Sequence, residues 1–178
     1  MNRFLFFMLS ISLSTFNVSS QEISEIDASP MDVALFRTEV EQAAPVARII
    51  YSRPHKKERI IFGELVPYGK LWRTGANQTT ELTLFQDVFF EGNKLKTGNY
   101  TIYTIPNENE WTIIVNSKLH TWGAYGYDAT KDVLRFNVPS ITISVPRESF
   151  GIAFDGQNGK GKLLLAWENT EVYINLEY

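Results

Sequence analysis

The chain has 178 residues, a formal net charge of −3 and a pI near 5.5. That balance lacks the strong positive field on which non-specific nucleic-acid binding depends, so nucleic acid is not an expected partner. With no cysteine, the chain has no disulfide framework, no thiol nucleophile and no cysteine for a lipid anchor.

The N-terminus carries Arg3, an apolar run over residues 4–16, and the small residues Val18-Ser19-Ser20. This is the pattern of a secretory signal peptide cleaved after Ser20, so residues 1–20 are expected to be removed. The run is too short and too rich in serine to cross a bilayer, which takes about 20 apolar residues. No membrane span is expected in the mature chain, which is placed in the periplasm or outside the cell. Residues 21–45 read as an extended lead-in, acidic through Glu22, Glu25, Asp27, Asp32, Glu39 and Glu41 and punctuated by Pro30 and Pro45. Within it, residues 31–36 read as a short strand or packed arm, or as part of a surface tail.

From residue 46 a two-residue alternation dominates. Strands are predicted at 46–51, 80–90 with a bulge near Gln86, 100–105, 111–116, 133–138, 141–145, 149–154, 163–167 and 172–176. The turn composition of residues 106–109 makes 100–105 and 111–116 the clearest hairpin. Pro139 and Pro146 are expected to limit strands. The glycine-rich segment 155–161 is expected to turn, and Glu168-Asn169-Thr170 to join the last two strands. One helical turn fits residues 128–133, and no amphipathic helix is evident. The predicted fold is all-β: a single antiparallel β-sandwich over 46–178, jelly-roll-like or Greek-key, with a long irregular loop at 63–78.

That loop and its approach hold the densest chemistry. Residues 51–77 gather Arg53, His55, Lys56, Lys57, Arg59, Lys70 and Arg73 among Tyr51, Tyr68 and Trp72, with glycines at 63, 69 and 75. Glycine and proline at such spacing shape a loop whose backbone amides can face a ligand. Trp72 offers a flat apolar plate, Arg73 a planar five-donor cation, and Asn77 both donors and an acceptor. A carboxylate, a phosphate or a sugar suits that set. The structural alternative makes Trp72 a plug at one end of the sandwich. The run 53–59 also reads as a solvated turn, with Arg53 the exception because it ends an apolar strand. Residues 119–127 form a second aromatic segment, in which Trp122, Tyr125 and Tyr127 either wall a ligand or join the core.

Two separated histidines without cysteine make no structural metal site, and no cofactor fingerprint is present. Glu64, Asp128, Asp132 and Asp155 are near loops, but no spacing pairs two of them across one bond. Ser52 and Ser140 have no triad context.

The segments YSRP, FGELVPYGKLWRTGAN, GNYTIYTIP, EWTIIVN, WGAYGYD and KDVLRF occur in this order, preceded by SPMDVA and followed by LLLAWENTEV. In these the chain resembles the DUF2911 family of exported bacterial proteins. The resemblance implies export and an all-β single domain, and brings no reaction and no catalytic residues. Three functions follow as expectations. The first is a non-catalytic binding module for a small anionic or saccharide ligand, held by Arg53, Trp72, Arg73, Asn77, Trp122 and Tyr125. The second is an envelope module that binds a protein partner through a sheet edge or the lead-in. The third is a glycan or ester hydrolase.

Overall fold

The computed structural model describes residues 22–40 and 43–178. The expected signal peptide, residues 1–20, lies outside the described residues, as do Gln21, Glu41 and Gln42 of the lead-in. Nine strands follow in chain order: β1 (Met31–Phe36), β2 (Ala47–Ser52), β3 (Thr80–Leu84), β4 (Val88–Phe90), β5 (Asn93–Leu95), β6 (Gly98–Pro106), β7 (Glu110–Asn116), β8 (Asp132–Gln157) and β9 (Lys160–Glu177). Among the described residues there is one 3-10 turn, Ala129–Lys131, capped by the Asp128 side chain. The nine strands pair antiparallel throughout, in the order β1-β2-β3-β6-β7-β8-β9-β4-β5, and the sheet does not close into a barrel.

β8 folds this sheet into two layers. Its residues 132–139 pair with β7, and from Ser140 onward it pairs with β9. The alternation of apolar side chains then turns both inner faces toward one core. Ile49, Leu82, Ile102 and Ile113 come from one layer, and Phe90, Leu163, Leu165 and Ile174 from the other. Each such side chain, fully buried, contributes roughly 1.5–3 kcal/mol. At one end an aromatic cluster closes the sandwich. Trp72 stacks on Trp167 at 5.9 Å between ring centroids and meets Phe150 at 5.1 Å, while Phe62 meets Trp111 at 4.9 Å.

The structure corrects three expected boundaries. Pro139 does not end its strand; it sits where β8 leaves β7, and the next amide, Ser140 N–H, turns to Asn109 O. Pro146 lies inside β8, in a stretch where the register jumps from Thr142 to Arg147, so no ladder bond needs its missing N–H. Residues 168–170 do not separate two strands: β9 runs through them, with Glu168 left-handed at φ 50° opposite the same irregularity. Residues 31–36 form a true strand, and the one bulged strand expected over 80–90 is two, Thr80–Leu84 and Val88–Phe90, the second paired in a short hairpin with Asn93–Leu95. Among the described residues no helix is long and apolar enough to cross a membrane.

Candidate ligand-binding site

The loop at 63–78 stays irregular because β6 supplies its backbone partners. Trp72 exchanges both main-chain bonds with Thr104, at 2.8 and 3.0 Å, and Gly69 N–H donates to Pro106 O at 2.9 Å. Thr74 is fully buried and its hydroxyl meets that of Thr104 at 3.1 Å. Gly75 has φ +155°, and a Cβ there would stand 3.0 Å from Ser52 O, so backbone passes where a side chain would not fit. Trp72 is 7 % exposed and donates from Nε1 to Gly75 O. It is therefore both the plug of the aromatic cluster and part of a floor.

Above that floor lies a cleft of about 430 Å³. Trp72 and Trp167 line its base, Leu65, Pro67 and Leu71 its apolar side, and Arg59, Lys70, Arg73, Asn77 and Ser29 its polar side. Among the described residues no Asp or Glu lines it. Arg59 is braced by bonds to Lys56 O at 2.9 Å and His55 O at 2.6 Å. Arg73 is half-buried, and its Nε is buried without a hydrogen-bond partner among the described residues. Loss of hydration lowers its pKa, an effect opposed by the nearby Tyr125 phenol. Arginine remains protonated at neutral pH regardless. Asn77 sits at φ 56°, accepts from Gly123 N–H through its carbonyl at 3.1 Å, and donates from Nδ2 to Asp27 at 2.9 Å.

The second aromatic segment lies alongside. Thr79 and Thr121 join it to the loop through hydroxyl and backbone bonds of 2.8–3.1 Å. Tyr127 turns inward, onto Tyr103 at 5.1 Å, while Trp122 is 58 % and Tyr125 92 % exposed. Neither of the exposed pair lines the cleft itself; Tyr125 approaches it through Arg73.

Arg53 belongs elsewhere. Its guanidinium bonds Asp32 at 2.9 Å and Phe150 O at 3.1 Å, on the wall of a separate groove of about 800 Å³. Three carboxylates, Asp32, Glu148 and Glu171, line that groove, and two of them pair with an arginine each, Asp32 with Arg53 and Glu171 with Arg147. The Tyr173 hydroxyl and then Arg147 hold Glu171 below the usual carboxylate range, so it is ionised and donates no proton at neutral pH. Asp128 caps the 3-10 turn, and Asp132 accepts from the Tyr127 hydroxyl at 2.7 Å. Among the described residues no three His, Asp or Glu side chains gather into a metal site.

Of the residues expected to form the site, Trp72, Arg73 and Asn77 line this cleft while Arg53, Trp122 and Tyr125 do not, and Arg59 and Lys70 line it without having been expected there. Also unexpected is the contact of Ser149 Oγ with His55 Nδ1 at 2.9 Å, which forms across an isolated bridge between residues 94 apart. No local pattern marks that pair.

Fold and cleft together define an open two-layer β-sandwich with a basic, tryptophan-floored hollow at one end. The chain belongs to the family described as "Protein of unknown function (DUF2911)", which it matches over residues 33–176. No curated protein and no solved structure matches it.

Proposed function

We propose that this protein is an exported, non-catalytic binding module for a small anionic ligand, acidic sugars included, that carries an apolar body. Its main support is the lining of the cleft: Arg59, Lys70 and Arg73 face it without one carboxylate among the described residues, in a chain whose formal net charge is −3. Cations set in low-dielectric walls raise the local concentration of anions. Trp72, Leu65 and Pro67 offer apolar area for the rest of the ligand, and Trp122 and Tyr125 stand exposed on the neighbouring segment 119–127. Export is supported by the N-terminal pattern of Arg3, the apolar run at 4–16 and the small residues before Gln21.

The test is a thermal-shift screen of phosphates, organic acids and neutral and acidic sugars, repeated on Arg73→Ala. A concentration-dependent rise with anions that disappears in the variant is expected. A flat screen, or a rise unchanged by Arg73→Ala, overturns the assignment. One observation favours the protein-partner reading: edge strand β1 exposes Met31, Val33 and Leu35 on its outer face and holds no Lys or Pro to protect it. Cross-linking from a cysteine placed at Val33 would capture such a partner.

A further inference from the structure

We propose that the acidic lead-in is a tethered competitor for the basic cleft, with Asp27 standing where a ligand's carboxylate or phosphate binds. This rests on the anion-binding function proposed above. Asp27 Oδ1 accepts from Asn77 Nδ2 at 2.9 Å and from Ser29 N–H at 2.7 Å. Asn77 and Ser29 both line the cleft, so the chain's own carboxylate is held at its rim by two lining residues, while among the described residues the lining's three cations share it with no Asp or Glu. Those two bonds favour the ionised form, and the Asp27 pKa is lowered accordingly.

Little else holds this part of the lead-in down. Ile23 is 98 % and Ile26 91 % exposed, and the bond to Asn77 is the only one from residues 22–28 to the body among the described residues. The chain becomes fixed at Pro30, whose carbonyl accepts from Arg53 N–H at 3.0 Å. A carboxylate tethered so closely acts at high effective concentration without an apolar anchor to make it permanent. A ligand anion that takes the Asn77 amide displaces it, and the apparent affinity falls by the fraction of molecules in which Asp27 is bound. For one exposed charge-assisted bond that amounts to about two- to tenfold.

The experiment titrates phenyl phosphate and inorganic phosphate into the mature wild type, Asp27→Ala and Glu25→Ala by calorimetry. Glu25→Ala removes the same charge from the same segment, and Glu25 makes no contact with the cleft. Tightening of about two- to tenfold in Asp27→Ala, with Glu25→Ala close to wild type, is the expected result. Binding to wild type that Asp27→Ala leaves unchanged, or that both variants tighten equally, overturns the competitor and leaves the anion site standing. No binding to wild type or to Asp27→Ala at millimolar probe overturns both.

Discussion

At the scale of single residues, the cleft mixes side chains that hold the fold with side chains that do not. Trp72 touches Phe62, Trp111, Phe150 and Trp167, so Trp72→Ala leaves a large void in the aromatic cluster. A loss of about 3–5 kcal/mol is expected from urea unfolding. Arg73 makes no ion pair among the described residues and carries an unpartnered Nε. Arg73→Ala is therefore expected to change stability by less than about 1 kcal/mol. Equal losses in the two variants would mean that Arg73 is as structural as its neighbour. Glu171 supplies a pH-dependent test. Its folded pKa lies below the ordinary 4.5, so the stability it contributes is fully present above that value and fades as pH falls through the folded pKa. Glu171→Gln should thus be less stable than wild type at neutral pH, with the gap closing as pH falls below that ordinary value. A gap of the same size in neutral and acidic solution would rule out the charge as its source.

Elements show what the sequence makes legible and what it does not. The hairpin of β6 and β7 is plain in residues 100–116, because alternation, turn composition and pairing are all local there. The length of β8 is not. Pro139 and Pro146 are stop signals for a ladder, yet each occupies a place where β8 has no ladder bond to give, and only the path between two layers creates such places. Glu168-Asn169-Thr170 similarly has turn composition and is a kink within β9. The cleft divides the same way. Trp72, Arg73 and Asn77 are close together in a loop of recognisable shape, whereas Arg59 joins them only because the segment after β2 folds back over the end of the sandwich. Gly75 is the loop element most sensitive to change. Its φ is +155°, and a methyl group added there would stand 3.0 Å from Ser52 O, so Gly75→Ala must push the loop away from β2. A loss of about 1–3 kcal/mol is expected, with weaker anion binding in the same variant. A variant as stable as wild type would show that the loop tolerates the shift.

For the whole molecule, the decisive feature is that one strand belongs to both layers. β8 begins beside β7 and ends beside β9, and the core it encloses draws on both faces at once, with Trp111 in one layer and Trp167 in the other. Neither layer retains a covered apolar face if the other departs, since Ile102, Ile113 and Val115 face Phe90, Leu163 and Leu165 across a gap too small for a water-filled interface. Partial unfolding would expose both inner faces, and that cost makes an intermediate with one intact layer unfavourable. Unfolding in urea is therefore expected to be a single cooperative transition. Tryptophan fluorescence, which reports the aromatic end, and far-ultraviolet circular dichroism, which reports all nine strands, should give the same midpoint. Two separated midpoints, with fluorescence lost first, would mean that the Trp72 end opens on its own. The cleft would then rest on a locally unstable cap, and ligand would be expected to raise the first midpoint and leave the second unchanged.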